Sequence, residues 1–239
     1  MPHKLLVVSE KVIWENERST VCKEKGEVTV KIAVFGGTGS TGLRLIDKLL
    51  GRGHEVYAYA RSPEKLYPME HDRLAVVEGT LDEREKIRET VDGMDAVISL
   101  LGPSGRVKRQ TLSEGVINIV ETMGETDTKR FVSITTGIVK DPNDEKDYRR
   151  NTVASALRLG FANNQREIER MATAIRSTDL DWTLVRAGFL TDKAEKPLKI
   201  GYLGKHEVGM SVSRASAAQF LADLAETNDY VRESPVVSN

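Results

Sequence analysis

Three glycines spaced three residues apart carry the clearest chemical signal in this sequence. Gly36, Gly39 and Gly42 lie between an apolar run typical of a strand and an amphipathic run typical of a helix. A strand that turns through glycines into a helix offers free backbone N–H groups and the positive end of a helix dipole to phosphate groups. The pattern therefore predicts a dinucleotide site, and it is not a Walker A loop because no Gly-Lys-Ser/Thr follows.

The residue after the second predicted strand bears on which dinucleotide is bound. NAD-specific sites place a carboxylate about 20 residues beyond the glycine loop, where it accepts hydrogen bonds from the ribose hydroxyls. Here Ala60 is followed by Arg61 and Ser62. A carboxylate would repel a 2′-phosphate, whereas a guanidinium forms charge-assisted hydrogen bonds with it. Arg61 therefore predicts NADP(H) rather than NAD(H), and the alternative is a solvated surface arginine.

Two alternating periodicities indicate the elements that position these residues. Short apolar runs alternate with segments whose apolar residues recur three and four positions apart. Predicted strands cover residues 28–35, 54–60, 74–78, 96–101, 130–134 and 182–186, and predicted helices cover 41–51, 83–91, 111–124 and 163–177. Strands that alternate with helices indicate βαβ crossovers and a parallel sheet covered on both faces. We therefore predict an α/β fold, a Rossmann-type doubly wound parallel sheet with a small C-terminal substrate-side lobe.

Residues 1–27 and 140–164 lie largely outside the alternation of predicted strands and helices. Residues 1–27 form an N-terminal extension, either a short hairpin or a disordered segment, and residues 28–239 form one NAD(P)-binding domain that includes the C-terminal substrate-side segments. The polar stretch 140–164 is an excursion from the sheet. It is either a mobile lid beside the strand ends or a plain solvated segment.

Composition argues against several classes of function. The sequence has 35 Lys+Arg against 36 Asp+Glu, a net charge of −1, so nothing global attracts nucleic acid or an anionic membrane. No apolar run approaches the roughly 20 residues of a membrane span. Cys22 is the single cysteine and the four histidines lack ligand spacing, so neither an internal disulfide nor a metal site is expected. We expect a cytoplasmic protein that acts on a small-molecule substrate. Both a monomer and a homo-oligomer fit the sequence.

Several motifs together resemble one known family. The glycine loop, Arg61, Leu100-Leu101-Gly102 and the stretch Leu-Asp-Trp-Thr-Leu-Val-Arg-Ala-Gly at residues 180–188 resemble the atypical short-chain dehydrogenase/reductases. More narrowly, the chain is similar to their NAD(P)H-binding group, which includes NmrA-like and flavin/biliverdin-reductase-like proteins. The resemblance implies a set of cofactor contacts: the phosphates at Thr38, Gly39, Ser40 and Thr41, the adenine at Leu81, and the ribose at Leu101 and Gly102.

The catalytic pair of that family is where this sequence departs most. Carbonyl-reducing members use Tyr-x-x-x-Lys, in which the lysine lowers the pKa of the tyrosine so that the tyrosine can pass a proton. None of the six tyrosines has lysine four residues later; Tyr148 lies nearest in position, but Thr152 occupies the lysine slot. The remaining catalytic candidates are Tyr148 and Thr135. We expect Thr135 either to position a ligand or only to satisfy backbone groups at the strand end.

Two functions of different kinds fit these residues. The first is an NADP(H)-dependent oxidoreductase that transfers a hydride to an unknown small acceptor, such as a flavin or a quinone. Such acceptors can collect a proton from solvent, so the missing tyrosine–lysine pair is tolerable. The alternative is a non-catalytic NADP-binding redox sensor or regulatory protein.

Overall fold

An eight-stranded sheet lies at the centre of the computed structural model, which describes residues 29–103, 111–137, 139–145 and 162–239. The strands are β1 (Lys31–Phe35), β2 (Glu55–Ala60), β3 (Leu74–Glu78), β4 (Ala96–Ser99), β5 (Arg130–Thr136), β6 (Asp181–Ala187), β7 (Phe189–Thr191), β8 (Lys199–Gly201), β9 (Ser211–Ser213) and β10 (Val236–Ser238). The helices are α1 (Ser40–Gly51), α2 (Arg84–Val91), α3 (Thr111–Gly124), α4 (Ala162–Arg176) and α5 (Arg214–Glu226).

The strand order creates the crevice in which a Rossmann fold binds its ligand. The order is β3-β2-β1-β4-β5-β6-β10-β8, and all neighbours pair in parallel except β8, which is antiparallel to β10. The order reverses between β1 and β4, where Phe35 pairs with Tyr59 on one side and Ser99 on the other. Ligands of such sheets bind outside the carboxyl ends of the strands at this reversal. The predicted Rossmann-type sheet is confirmed.

Helices cover both faces of the sheet, as the doubly wound prediction requires. On β1, Ile32 and Val34 face the core formed with α1 and α5, whereas Ala33 and Phe35 face the core formed with α2, α3 and α4. All four side chains are 0% exposed. Because side chains of a strand alternate between faces, an unbroken apolar run is what a strand buried on both sides needs.

Most predicted elements are confirmed, with shifts at their ends. β3 and α3 have the predicted bounds, whereas β4 ends at Ser99 rather than at residue 101. The segments predicted to form a C-terminal lobe divide: β8 and β10 extend the main sheet, and β7 and β9 form a separate two-stranded parallel sheet. Residues 1–28 lie outside the described residues, so the N-terminal extension stays a prediction. In the part that is described, no helix is long and apolar enough to cross a membrane.

Candidate functional site

Gly36 sits where only a glycine fits. Its φ is +84°, a left-handed conformation that side chains disfavour, and a Cβ atom there would lie 3.0 Å from the carbonyl carbon of Leu100. The Gly36 carbonyl also accepts a hydrogen bond from the Gly39 N–H at 3.2 Å. This glycine therefore makes the tight turn out of β1 and brings the turn against the end of β4.

Gly42 and Gly39 play different parts at the start of α1. A Cβ atom at Gly42 would lie 2.5 Å from the Gly36 carbonyl oxygen and 2.7 Å from Gly37, so its absence lets the helix pack on the turn. At exposed Gly39, a Cβ atom would meet only the Gly36 oxygen, at 3.4 Å, so the outer side of the loop is open. A tight first and third glycine with an open second glycine is the arrangement that admits a pyrophosphate.

The first turn of α1 is free to receive an anion. Gly39 is the N-cap residue, no side chain caps it, and the first turn carries no acidic residue. The first N–H groups of a helix have no intrahelical partner, and the helix dipole favours negative charge there. Around this turn the structure places the predicted phosphate contacts, with Thr38 half-buried, Ser40 exposed and Thr41 8% exposed.

Arg61 lies at the tip of β2, beside the end of β1. The side chain is exposed, and it makes no ion pair or hydrogen bond within the described residues. No carboxylate stands at the adjacent position, because Ser62 follows and then a 3₁₀ turn at Pro63–Lys65. The guanidinium is therefore available for a phosphate on the adenosine side of a dinucleotide.

The loop after β3 positions Leu81, the predicted adenine neighbour. Leu81 is half-buried against α3, where its carbonyl accepts a hydrogen bond from Asn118 Nδ2 at 2.8 Å. Glu83 accepts hydrogen bonds from the Thr80 N–H at 2.5 Å and from Lys86 Nζ at 2.6 Å. The Lys86 and Thr80 hydrogen bonds lower the pKa of Glu83 from 4.5 to about 2. The charged carboxylate thus holds this loop in place.

A cavity of about 310 Å³ opens at the carboxyl ends of β4, β5 and β6. Its size is at the lower end of the range for small-molecule sites, about 300–1,000 Å³. Apolar side chains dominate its walls, and α4 closes one side with Ile168 and Met171. The complete lining is Leu100, Leu101, Gly102, Pro103, Ile134, Thr135, Thr136, Asn164, Gln165, Ile168, Met171, Ala187, Gly188 and Leu190.

Two adjacent threonines, Thr135 and Thr136, line the cavity at the end of β5. Thr135 is half-buried and lines the cavity, where the sequence predicts a positioning group. The adjacent Thr136 has a fully buried Oγ1 with no hydrogen-bond partner among the described residues. A buried hydroxyl without a partner is unfavourable, so a ligand atom that reached Thr136 Oγ1 would remove that cost by forming a hydrogen bond. The sequence predicts the positioning role for Thr135, and sequence alone cannot show that the buried hydroxyl is that of Thr136.

Two further outcomes concern residues near the cavity. Asn164 and Gln165 on α4 line it and were not predicted, since amide side chains at a helix start carry no distinctive sequence signal. Tyr148, the second predicted catalytic residue, lies outside the described residues and stays a prediction. Within the described ranges, no group of three or more metal-ligating side chains is present.

The glycine loop and the cavity share one stretch of backbone. Leu100 lies against Gly36, and Leu100, Leu101 and Gly102 all line the cavity. Leu100 N–H continues the sheet by donating to the Phe35 carbonyl at 2.8 Å. A dinucleotide on the loop and a second molecule in the cavity would meet at this stretch, where the sequence places the ribose contacts.

Comparison with known proteins gives the family. A family model described as NAD(P)H-binding matches residues 36–228. The chain therefore belongs to the NAD(P)H-binding family, and the matched part runs from the first glycine of the loop to just beyond α5.

Two curated relatives that match part of the chain differ in their described activities. The chain is 32% identical over 114 residues to a 3-beta-hydroxysteroid dehydrogenase of Mycolicibacterium neoaurum, covering 43% of this chain and 31% of the relative. It is 26% identical over 106 residues to the photosystem II assembly factor Ycf39 of Synechocystis, covering 43% of this chain and 32% of that protein. The chain thus matches about a third of the length of these relatives.

Two solved structures superpose over most of the chain. A short-chain dehydrogenase/reductase of Veillonella parvula in complex with NADP gives a TM-score of 0.71 at 18% identity, covering 88% of this chain and 94% of that chain. The anaerobilin reductase ChuY of Escherichia coli O157:H7 gives a TM-score of 0.72 at 16% identity, covering 87% of this chain and 96% of that chain. At such identities the likeness shows the fold alone.

Proposed function

We propose that this member of the NAD(P)H-binding family is an NADPH-dependent reductase of a small conjugated acceptor, such as a flavin or a quinone. The observation that carries the proposal is the shared stretch Leu100–Gly102, which borders the glycine loop and also lines the apolar cavity. Bound NADPH supplies a hydride, and the acceptor also takes up one proton. NADPH, a proton and the acceptor thus yield NADP⁺ and the two-electron-reduced acceptor.

The residues of the chain would bind and orient rather than transfer protons. The open backbone at Gly39 would hold the pyrophosphate, and the hydroxyls of Thr135 and Thr136 would hydrogen-bond a carbonyl or ring nitrogen of the acceptor. Apolar walls exclude water from the reacting atoms. Because the sequence holds no Tyr-x-x-x-Lys, the acceptor's proton would come from solvent.

The preference for NADPH over NADH is the part of the proposal that rests on Arg61. Exposed and unpaired among the described residues, its guanidinium is free to bind a 2′-phosphate, and the NADP complex of the Veillonella protein supports this choice of cofactor. A hydrogen bond to a charged group contributes about 1.5–3 kcal/mol. Arg61→Ala should therefore weaken NADPH binding roughly 10- to 150-fold and change NADH binding less than about 3-fold.

Arg73→Ala is the matched control for this measurement. Arg73 is also an exposed arginine, but it directly precedes β3. It therefore lies at the amino-terminal ends of the parallel strands, whereas Arg61 lies at their carboxyl-terminal ends. Its substitution should leave both dissociation constants unchanged in a nucleotide fluorescence titration. Equal losses of NADPH and NADH affinity in Arg61→Ala would contradict the assignment of Arg61 to the 2′-phosphate.

Turnover decides whether the protein is a reductase. Purified protein with NADPH should reduce at least one member of a panel of flavins, quinones and aldehydes. The reaction is measured as the loss of absorbance of the reduced nicotinamide. Thr136→Val keeps the side-chain shape and removes the buried hydroxyl, so kcat should fall about 2- to 10-fold while the NADPH dissociation constant stays constant. Tight NADPH binding without turnover of any acceptor would refute the reductase.

A regulatory protein that binds NADP is the second candidate. The missing tyrosine–lysine pair and the likeness to a photosystem II assembly factor over part of the chain favour it. The anaerobilin reductase among the structural neighbours supports the enzyme instead. The same panel separates the two, because a regulator would bind NADPH and reduce nothing.

A further inference from the structure

Arg186 is a completely buried cation for which the proposed reaction has no chemical use. It lies on β6, beside the cavity residues Ala187 and Gly188, and its side chain is 0% exposed. Burial of an unpaired charge is strongly unfavourable, so such a residue persists only when its hydrogen bonds are satisfied. The hydrogen-bond partners of Arg186 therefore indicate which segments of the chain it holds in place.

The guanidinium forms four hydrogen bonds that join three separate segments. Nη1 and Nη2 donate to the two carboxylate oxygens of Asp144, the second at 2.7 Å. Nη1 also donates to the Val139 carbonyl at 2.9 Å, and Nε donates to the Ser234 carbonyl at 2.7 Å. A planar guanidinium matched to both oxygens of one carboxylate fixes orientation as well as distance.

Asp144 is itself held from its other side. The Leu203 N–H donates to Asp144 Oδ1 at 3.0 Å, and the Asp141 N–H donates to Oδ2 at 3.2 Å. The Glu145 N–H then donates to the Leu203 carbonyl at 2.8 Å. The root of the polar excursion, residues 139–145, is therefore fastened both to β6 and to the segment that follows β8.

This network reaches the cavity through two backbone hydrogen bonds. Val139, whose carbonyl Arg186 binds, donates its N–H to the Thr136 carbonyl at 3.3 Å. Gly137 N–H, directly after Thr136, donates to the Ala187 carbonyl at 2.7 Å. In the sheet register, Thr135 pairs with Arg186 and Thr136 pairs with Ala187. The turn that follows the two cavity hydroxyls is thus tied to Arg186.

We propose that the Arg186–Asp144 pair is a positioning device that fixes the end of β5, and so the Thr136 hydroxyl, against the acceptor cavity. Neither residue of the pair lines the cavity or lies against the glycine loop. The pair acts by holding Val139 and, through β6, Gly137, and so fixes the backbone that carries Thr136. The effect on kcat rests on the proposed reductase function, whereas the effect on the turn does not.

Asp144→Asn tests the device with little change in shape. Because the pair acts through the Thr136 hydroxyl, kcat should fall by about as much as in Thr136→Val, about 2- to 10-fold. The NADPH dissociation constant should stay within about 2-fold, because the glycine loop lies on the β1 side of the sheet. Amide hydrogen exchange should quicken at Gly137 and Val139 and stay constant in β1 and α1.

Glu145→Gln is the control from the same segment. The Glu145 side chain is exposed and makes no hydrogen bond or ion pair among the described residues, so this variant removes one charge from residues 139–145 and keeps the Arg186–Asp144 pair. Its kcat and its exchange at Gly137 should match the wild type. A double-mutant cycle adds the link to Thr136: in the Thr136→Val background, Asp144→Asn should lower kcat by less than about 2-fold.

Each outcome decides the proposal. Unchanged exchange at Gly137 in Asp144→Asn overturns it, as does an effect on kcat that is equally large in the Thr136→Val background. Arg186→Lys, which keeps the charge but loses the two-oxygen match, should show the same exchange change in milder form if Asp144→Asn proves too unstable to purify. If the wild type reduces no acceptor, the reductase proposal fails, and the exchange measurement still decides whether the pair holds the turn.

Discussion

Replacing Gly39 by alanine should separate cofactor binding from folding. Gly39 has φ −75° and ψ 161°, which alanine adopts without strain, and the added Cβ would meet only the Gly36 carbonyl oxygen at 3.4 Å. Alanine also reduces the conformational freedom of the unfolded chain, which is worth about 0.4–1 kcal/mol at an unstrained position. The free energy of unfolding should therefore stay constant or rise by up to about 1 kcal/mol.

The same methyl group occupies the side of the loop from which a pyrophosphate would approach. It would separate the phosphate oxygens from the N–H groups at the start of α1, where no side chain takes their place. Losing one charge-assisted hydrogen bond costs about 1.5–3 kcal/mol, which corresponds to about 10- to 150-fold in affinity. NADPH should accordingly bind at least 10-fold more weakly to Gly39→Ala.

Two other glycine variants make the comparison sharp. Gly42→Ala places its Cβ 2.5 Å from the Gly36 carbonyl oxygen, so overpacking should lower the free energy of unfolding by about 1–3 kcal/mol and weaken binding as well. Gly51 lies in α1, and apart from its chain neighbours and the backbone of its own helical turns, no atom of the described residues lies within 4 Å of the Cβ that alanine would add. Gly51→Ala should raise stability by about 0.5–1 kcal/mol and leave NADPH affinity unchanged.

Urea unfolding and NADPH fluorescence titration on the same four proteins give both quantities. We expect three distinct patterns: NADPH binding alone is lost in Gly39→Ala, binding and stability are both lost in Gly42→Ala, and neither is lost in Gly51→Ala. Wild-type NADPH affinity in Gly39→Ala would refute the placement of a pyrophosphate on this loop. Wild-type stability in Gly42→Ala would refute the tight contact between α1 and the turn.

Three further changes test other parts of the structure. Asp144→Ala leaves the buried Arg186 charge without its carboxylate and should lower the free energy of unfolding by about 3–5 kcal/mol in urea. The pKa of Glu83 is lowered to about 2 in the folded protein, so its contribution to stability is present above pH 4.5 and lost as the pH falls towards 2. In Glu83→Gln, the urea midpoint should therefore decrease less steeply between pH 6 and pH 2 than in the wild type. Gly188→Ala would overlap the Met210 carbonyl, so its melting temperature should fall clearly below that of Gly51→Ala.

The sheet and the backbone geometry of the glycine loop could be predicted because their signals are local. Apolar runs and helical periodicity report burial directly, and the glycine spacing reports a backbone requirement that Gly36 meets with its φ of +84°. The strands β7 to β10 were not predicted, because each has three residues and a period cannot be recognised over so short a run. Their pairing is decided by what lies beside them in space.

Residues of the cavity show the limit of sequence reasoning more clearly. Thr135 and Thr136 are identical in type and adjacent in the chain, and only the packing around β5 distinguishes the buried, partnerless hydroxyl of Thr136. Likewise, Arg186 belongs to a recognisable motif, but its partner Asp144 lies 42 residues earlier in a polar stretch. Neither charge carries a pattern that points to the other, so the pair appears only in three dimensions.

The glycine loop and the cavity lie at different parts of the sheet. This explains why the sequence predicts the glycine loop better than it predicts the cavity. The glycine loop and Arg61 follow β1 and β2, and their positions are set by strand order and backbone geometry, which any chain with this fold must reproduce. The cavity depends instead on the ends of β5 and β6, on α4 and on a buried ion pair, all of which other chains can vary while keeping the sheet. The two parts meet at Leu100–Gly102. A substitution in the loop should therefore appear in the dissociation constant of the cofactor, and one in the Arg186–Asp144 pair should appear in kcat.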